Sequence, residues 1–95
     1  MPSSTTSRSK VYYCIYVLES MKDNKRYIGF TINLKQRIRQ HQEGESFSTR
    51  YRRPFKLIYA ELCTNKEDAV RREKYLKETG GRRFLAKRLK SYYKQ

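Results

Sequence analysis

The sequence contains few of the residues that build metal or disulfide frameworks. Its 95 residues include two cysteines, one histidine, two prolines, four glycines and no tryptophan. Two cysteines and one histidine cannot complete an ordinary four-ligand zinc site, and two cysteines do not make a disulfide framework. We therefore expect Cys14 and Cys63, each in an apolar run, to be buried, reduced thiols in a cytoplasmic (intracellular) protein.

Long apolar runs are also absent. No stretch approaches the roughly 20 apolar residues that span a membrane, so no membrane-embedded segment is expected. Residues 1–10 are rich in serine and threonine and lack the apolar core of a secretory signal. They are predicted to be a disordered N-terminal lead-in, and residues 11–95 are predicted to form a single domain.

Acidic residues are scarce as well. Nine acidic residues stand against 23 lysines and arginines, which gives a formal net charge of +14. A domain this basic needs a polyanionic partner, and nucleic acid is the default one. An anionic membrane is disfavoured because the basic residues are spread over a loop and several helices rather than along one amphipathic helix. Charge therefore predicts nucleic-acid binding, but not cleavage.

Hydrophobic periodicity and turn residues predict six elements. The first strand is apolar on both faces, which is typical of a central strand. Thr31 or Asn33 is predicted to cap the first helix, and Gly80-Gly81 to end the second. The predicted strands cover residues 11–18, 26–30 and 55–62, and the predicted helices cover residues 34–42, 66–78 and 82–92.

The hairpin and the first helix direct several polar side chains toward one region. If the residues paired across the hairpin have numbers that sum to an odd value, Tyr16 and Tyr27 lie on the same face. Gly29, inside the second strand, indicates the close approach of another group. His41 falls on the apolar stripe of the first helix, and Arg37 falls at the edge of that stripe. Both side chains are therefore predicted to point toward the body of the protein.

Glu73 stands in the apolar stripe of the second helix, which Ala69, Val70 and Leu76 define. A carboxylate on the core side is costly unless it is paired or bound to a metal. Two interpretations are open here. Glu73 is either half of a structural ion pair with one of the many arginines, or a metal ligand or catalytic carboxylate.

Two basic clusters are candidates for phosphate contacts. The first lies in the long connection before the third strand, around Tyr51, and the second lies on the polar side of the last helix. Basic residues interleaved with an aromatic suit phosphate contacts together with base stacking, and a solvated loop is an equally simple interpretation of the first cluster. A solvated face is the alternative for the second cluster, where the high net charge favours phosphate contacts. The candidate nucleic-acid-binding residues are Arg50, Arg52, Arg53, Arg82, Arg83 and Lys87.

The chain resembles the GIY-YIG nuclease superfamily, and specific residues carry this resemblance. Cys14–Tyr16 matches the first motif and Tyr27–Gly29 matches the second. Arg37 and His41 match on the following helix, and Glu73 matches on the helix after the third strand. The resemblance covers nearly the whole predicted domain and is strongest to the small stand-alone members of the family.

This resemblance implies an α/β (α+β) fold with a three-stranded antiparallel sheet flanked by helices, in the order β-β-α-β-α-α. It implies a metal-dependent endonuclease that uses Mg²⁺ (or Mn²⁺), and no small-molecule cofactor, to hydrolyse phosphodiester bonds of DNA. We expect cleavage to be structure- or damage-directed rather than sequence-specific, as in DNA repair. A nucleic-acid-binding domain of the same fold with little or no cleavage is the alternative, and an RNA-directed activity is a weaker one.

The resemblance also implies a role for each matching residue. Tyr16 would activate the attacking water as general base, and Tyr27 would assist it by hydrogen bonding. Arg37 would stabilise charge on the scissile phosphate, Glu73 would hold the divalent ion, and His41 would orient the site or share the proton transfer. Because the pKa of a free tyrosine is about 10, neighbouring positive charge would have to lower the pKa of Tyr16.

Three positions depart from the family pattern. Cys14 replaces the glycine that names the first motif. Phe30 stands where several members have a lysine, so that helper is missing. No residue matches the C-terminal amide that some members use near the phosphate.

Overall fold

The fold is organised around a strand with two apolar faces. A computed structural model describes residues 11–95, and the lead-in predicted for residues 1–10 lies outside the described residues. The three strands form one antiparallel sheet of order β2-β1-β3, so the first strand is central, as predicted. The elements are β1 (Tyr13–Ser20), β2 (Arg26–Thr31), α1 (Leu34–Gln42), a 3₁₀ turn (Arg50–Arg52), β3 (Phe55–Cys63), α2 (Lys66–Leu76), α3 (Thr79–Arg88) and a short α4 (Lys90–Tyr93). The predicted α+β class and the order β-β-α-β-α-α are confirmed.

The register of the hairpin decides which side chains share a face. Tyr16 is opposite Gly29 and Leu18 is opposite Tyr27. These pairs sum to an odd number, so Tyr16 and Tyr27 lie on the same face of the sheet, as the sequence predicted under that condition.

Each face of the sheet packs against its own set of helices. On one face, Cys14, Tyr16, Leu18 and Phe55 form a buried cluster against the apolar side of α1. On the other face, Ile15 and Val17 pack against α2 and α3. The other buried residues of that second cluster are Ala69 and Leu76 of α2, Leu85 of α3, and Leu89, which follows α3. Alternation along β1 therefore sends successive side chains into two different cores.

Helix α1 has the predicted bounds because both of its ends are fixed by side-chain hydrogen bonds. Asn33, rather than Thr31, is the N-cap, and its Oδ1 accepts from the backbone N–H of Gln36 at 3.1 Å. At the other end, Gln42 Nε2 donates to the carbonyl of Phe55 at 2.6 Å, while Gln42 Oε1 accepts from the Phe55 N–H at 3.1 Å. The amide of Gln42 thus holds α1 against the beginning of β3.

The predicted ends of the last two helices are wrong. Helix α2 ends at Leu76, and Gly80 and Gly81 lie in the first turn of α3 instead of ending α2. A Cβ on Gly81 would overlap the Cα of Leu76 and the carbonyl oxygen of Tyr75, so this glycine permits a tight corner between the two helices. The helix predicted over residues 82–92 is divided at Leu89, whose φ of −105° and ψ of 27° are not helical.

An ion pair occupies the inward side of α2. Arg72 donates to both carboxylate oxygens of Glu61 at 2.9 and 2.8 Å, and Tyr59 donates to the same carboxylate at 2.7 Å. The guanidinium of Arg72 also lies 4.5 Å from the ring centre of Phe84. Val70, predicted on the apolar stripe, is 47% exposed instead. This paired network joins β3 to α2 and α3.

The two cysteines are unpaired. Cys14 is buried, as predicted, whereas Cys63 is only half-buried. Within residues 11–95, no helix has the length and apolar character needed to cross a membrane.

Candidate active site

The close approach predicted at Gly29 is made by the phenol of Tyr16. A Cβ at position 29 would overlap Cζ and the hydroxyl of Tyr16, and would lie 2.8 Å from its Cε2. Only glycine leaves room for the ring at this point of β2. The second motif therefore shapes the space that holds the tyrosine of the first motif.

Tyr16 and His41 form a buried hydrogen-bonded pair. The Tyr16 hydroxyl lies 2.8 Å from His41 Nε2. The other ring nitrogen, Nδ1, lies 2.7 Å from the hydroxyl of Thr49. All three side chains are almost completely removed from solvent. His41 is thus held between two hydroxyl groups, which fixes the orientation of its ring.

Tyr27 completes an aromatic cluster at this place. Its ring centre lies 5.1 Å from that of His41 and 6.3 Å from that of Tyr16. Phe55 closes the far side of the imidazole at 6.1 Å. Burial and the nearby positive charge of Arg37 lower the pKa of His41, so the imidazole is neutral at physiological pH.

Arg37 and Glu73 both act electrostatically on Tyr16. Burial and, to a smaller extent, the neighbouring Tyr27 raise the pKa of Tyr16 to about 12. The nearby Arg37 guanidinium and its positive charge oppose this rise, whereas the negative charge of Glu73 adds to it. The expected positive charge is therefore present, but in the metal-free protein burial outweighs it and the pKa of Tyr16 is raised rather than lowered.

Arg37 is positioned from within its own helix. Its Nε donates to the side-chain oxygen of Gln40 at 3.0 Å. Both residues line a shallow cavity of about 280 Å³ that also touches Glu45 and Ser46. Since this hydrogen bond takes up Nε, the outer nitrogens of the guanidinium are the ones available for a phosphate.

Glu73 is half-buried and pairs with a lysine instead of an arginine. Lys77 Nζ lies 3.2 Å from the Glu73 carboxylate. The side chain of Lys77 is 53% exposed and that of Glu73 is 22% exposed. The structural arginine pair of α2 belongs to Glu61, as described above. Among the described residues, Glu73 is therefore left with one ion-pair partner, and that lysine is about half exposed to solvent. In the described part of the chain, no group of three or more His, Cys, Asp or Glu side chains could hold a metal ion.

The predicted nucleic-acid-binding residues fall on two separate surfaces. Arg50 and Arg53 line a cavity of about 440 Å³ with Tyr51. Arg50 lies against the exposed rings of Phe47 and Tyr51, with its guanidinium carbon 5.2 and 5.9 Å from their centres. Arg52 is less available, because it pairs with Asp23 at 3.3 Å.

The second basic surface is on α3. Arg82, Arg83 and Lys87 are all exposed there. Arg82 lines a cavity of about 580 Å³ between β2 and the helices α2 and α3, together with Tyr27 of the aromatic cluster. Thus one of the basic helix residues is adjacent to the candidate active site.

Three residues that matter to this geometry were missed by sequence reasoning. Thr49 orients His41, Gln40 holds Arg37, and Lys77 pairs with Glu73. Gln40 and Lys77 lie three and four residues from their partners on one helix, a spacing that could have revealed them. Thr49 lies in an irregular loop, and no local pattern identifies its partner.

Comparison with known proteins defines the class to which this fold and site belong. The family model described as the GIY-YIG catalytic domain matches residues 12–88. The chain therefore belongs to the GIY-YIG family, which confirms the resemblance found in the sequence. Its fold is a nuclease-type fold, and members of this superfamily are generally endonucleases.

Particular relatives place the chain among small proteins of this family. It is 44% identical over 72 residues to the UPF0213 protein of Limosilactobacillus reuteri, covering 73% of each chain. It is 39% identical over 64 residues to a UPF0213 protein of Staphylococcus haemolyticus, covering 66% of this chain and 77% of that one. A solution NMR structure of a UPF0213 protein from Bacillus halodurans superposes with a TM-score of 0.52 at 32% identity, covering 80% of this chain and 83% of that one.

Proposed function

We propose that this protein is a metal-dependent endonuclease that hydrolyses phosphodiester bonds of DNA. The observation that carries the proposal is the hydrogen bond between the Tyr16 hydroxyl and His41 Nε2, with Arg37 and Glu73 close enough to shift the pKa of Tyr16. A potential base, a fixed cation and a carboxylate are thus gathered around one phenol. Hydrolysis of a phosphodiester requires these groups.

His41 is the group that accepts the proton of Tyr16. A phenol with a pKa of about 12 is almost entirely protonated at neutral pH, so its proton must leave during the reaction step itself. Neutral His41 takes that proton at Nε2 while Tyr16 takes a proton from the attacking water. The hydroxide forms a bond to phosphorus, the bond from phosphorus to the leaving oxygen breaks, and this oxygen takes a proton from solvent. Arg37 balances the charge that develops on the phosphate oxygens.

Substrate binding has to open a path to Tyr16. Its side chain is fully buried in the DNA-free protein, whereas Tyr27 and Arg37, which lie beside it, are half-buried. Water reaches the hydroxyl when one of these two side chains moves. A phosphate that pairs with Arg37 supplies the force for that movement.

Glu73 fits a role as the one protein ligand of Mg²⁺ or Mn²⁺. Its oxygens are hard donors, it is half-buried, and its single partner is an exposed lysine that can be displaced. Because the described residues offer no cluster of further ligands, water would fill most of the coordination shell, as Mg²⁺ prefers. When bound, the ion would act as a Lewis acid on a phosphate oxygen.

DNA is expected to lie across the two basic surfaces. The hairpin turn between β1 and β2 contributes Lys22 to the loop surface and Lys25 to the cavity beside α3. Affinity should fall steeply with salt, because each phosphate contact releases counterions. Filter binding or anisotropy at several salt concentrations measures this slope, and a flat response would contradict a phosphate-based interface.

Cleavage assays with and without Glu73 test the proposal. Wild-type protein, Glu73→Ala and the matched control Glu67→Ala are incubated with plasmid and with labelled flap and splayed-arm DNA, in Mg²⁺, in Mn²⁺ and in a chelator. Glu67 is an exposed carboxylate on the same helix and makes no ion pair among the described residues. Nicking by wild type and by Glu67→Ala that requires the metal and disappears in Glu73→Ala, with DNA binding retained, is the expected result. Absence of nicking by wild type under all conditions, with binding intact, would refute the proposal.

A nucleic-acid-binding domain with little or no cleavage is the second candidate. The complete burial of Tyr16 and its raised pKa are the observations that favour it. The assay above separates the two candidates, and a ribo-oligonucleotide in the same assay tests an RNA-directed activity. We further propose that the protein works inside the cell, because its two cysteines are free thiols. We also propose that it acts on branched or damaged DNA, as in DNA repair.

A further inference from the structure

A cavity of about 580 Å³ lies between the edge strand β2 and the helices α2 and α3. Its volume is in the range of natural ligand sites, which is about 300–1,000 Å³. The cavity is distinct from the shallow one at Arg37 and from the one in the arginine loop. Two of its lining residues, Lys25 and Arg82, belong to the proposed DNA interface, but the cavity itself has been given no occupant.

The lining of the cavity combines positive charge with an apolar wall. Four cationic side chains contribute to it, and no carboxylate does. Ile28, Leu76 and Leu85 supply the apolar part. The four cations are Lys25, Arg26, Lys77 and Arg82. Such a lining fits a molecule with an anionic end and a flat, weakly polar body.

Arg26, which lines the cavity, carries a buried donor without a partner. Its Nη1 is buried and has no hydrogen-bond acceptor among the described residues. The guanidinium carbon lies 5.6 Å from the ring centre of Tyr93, which holds the side chain in place without satisfying this N–H. A buried guanidinium N–H without an acceptor is costly, and an anion at the cavity would remove that cost.

The cavity also adjoins the candidate active site. Tyr27 lines the cavity and packs against His41 of the aromatic cluster described above. Lys77 lines it too, and pairs with Glu73. The cavity is therefore adjacent to two side chains that contact the candidate active site.

We propose that this cavity receives an unpaired nucleotide of the DNA substrate, next to the scissile phosphate. The inference rests on the proposed function and gives a physical reason for a preference for branched DNA. A paired nucleotide cannot enter without being unstacked, which costs free energy, whereas a nucleotide at a flap or junction is already free. Because its apolar wall (Tyr27, Ile28, Leu76 and Leu85) packs against any base alike, the cavity selects the unpaired state rather than the identity of the base.

Arg82→Ala and Arg83→Ala form a matched pair of test variants. They remove the same charge from neighbouring positions of α3, but only Arg82 lines the cavity. Both variants should weaken binding to all DNA, because both lose a phosphate-seeking charge. We expect only Arg82→Ala to lower the ratio of flap cleavage to duplex cleavage, by about tenfold for the loss of one charge-assisted contact. In Arg83→Ala the ratio should stay at the wild-type value.

Arg26→Met separates a ligand-binding role from a structural one. It keeps an unbranched apolar stem and removes the orphaned N–H. We expect the flap-to-duplex ratio to fall while the free energy of unfolding, measured with urea, is unchanged or increased. Loss of stability with an unchanged ratio would show that Arg26 serves the fold.

A fluorescence measurement tests the cavity without any cleavage. A flap carrying 2-aminopurine as its first unpaired nucleotide is titrated with protein in a chelator. We expect wild type and Arg83→Ala to increase its fluorescence as the base leaves the stack, and Arg82→Ala to fail at equal occupancy. Equal responses from both variants, or binding of a free deoxynucleoside monophosphate as tight as that of the flap, would overturn the inference. A wild type that binds but cleaves nothing would refute the endonuclease, while the fluorescence result would still decide the cavity.

Discussion

The position of one proton in the Tyr16–His41–Thr49 chain can be determined by replacing Thr49 with valine. Valine keeps the shape of the side chain and removes the hydroxyl that lies 2.7 Å from His41 Nδ1. Both side chains are buried, so water does not replace the lost partner. Leaving a buried N–H unpaired costs about 1–3 kcal/mol. The unpaired N–H destabilises the orientation of the His41 ring in which Nε2 meets the Tyr16 hydroxyl. We therefore expect kcat for DNA cleavage to drop by about 10–100-fold.

The pH dependence of cleavage reports the direction of the hydrogen bonds. The proposed mechanism needs neutral His41, whose pKa is already lowered, so activity is present above this pKa and is lost as the pH falls through it. If Nδ1–H donates to Thr49, the valine variant loses an acceptor that favours the charged imidazolium more than the neutral ring. The pKa of His41 then falls further, and the acidic limb of the kcat profile moves to lower pH.

The opposite shift would refute the proposed mechanism. If the Thr49 hydroxyl donates to Nδ1, the ring proton of neutral His41 is on Nε2. Nε2 then cannot accept the proton of the Tyr16 hydroxyl, as the proposed mechanism requires. Thr49→Val would then raise the pKa of His41, and the acidic limb would move to higher pH. Thr64→Val, at an exposed threonine, is the control and should change neither kcat nor the profile. Chemical denaturation of all variants separates a loss of rate from a loss of fold.

Two further predictions concern the packing around the site. Gly29→Ala should abolish cleavage, because its Cβ would overlap the Tyr16 phenol. It should also lower the free energy of unfolding, measured by urea titration, by about 1–3 kcal/mol. Gly80→Ala, at the start of a helix, is the control and should leave the free energy of unfolding almost unchanged. Glu61→Gln should destabilise the protein at neutral pH by about 1–2 kcal/mol, because its half-buried pair with Arg72 is lost. Hydrogen bonds from Arg72 lower the pKa of Glu61, so the stabilisation is present at neutral pH and is lost as the pH falls through the folded-state pKa. Urea titrations should accordingly show the two proteins converging in acid, and a constant difference would contradict this account.

The parts of the fold that depend on local sequence could be predicted. Helix α1 begins after Asn33 because an asparagine side chain caps a helix wherever it precedes an apolar stripe. Strand β1 was recognised as central because apolar residues on both of its faces need cover on both sides. The register that places Tyr16 opposite Gly29 could be predicted only as a condition. It depends on the geometry of the hairpin turn, which the sequence does not show.

The failures concern contacts between elements. Gly80-Gly81 looks like a helix end because glycine commonly follows one, yet Gly81 is needed where α3 approaches Leu76. An ion pair with an arginine was one of two interpretations of Glu73, but the inward arginine of α2, Arg72, pairs with Glu61 on strand β3 instead. A helical wheel shows which side of α2 faces inward, but it cannot show which partner the sheet supplies.

Glu73 adds a smaller contribution to the burial that raises the pKa of Tyr16, and under the proposed mechanism a metal ion bound there would reverse the sign of that contribution. Burial raises the pKa of Tyr16 to about 12, and Glu73 contributes to the rise while Arg37 opposes it. Glu73→Gln removes one negative charge, so in the metal-free protein the pKa of Tyr16 should fall even though cleavage is lost. If Glu73 binds a divalent cation, the net charge at this position becomes positive and lowers the pKa of Tyr16 instead of raising it. The pKa of Tyr16 in the wild type should therefore fall when Mg²⁺ is added. Titration of ¹³C-labelled tyrosine by NMR, with Tyr16→Phe to assign the resonance, measures both shifts, and an unchanged pKa in Glu73→Gln would mean that the carboxylate does not act on this phenol.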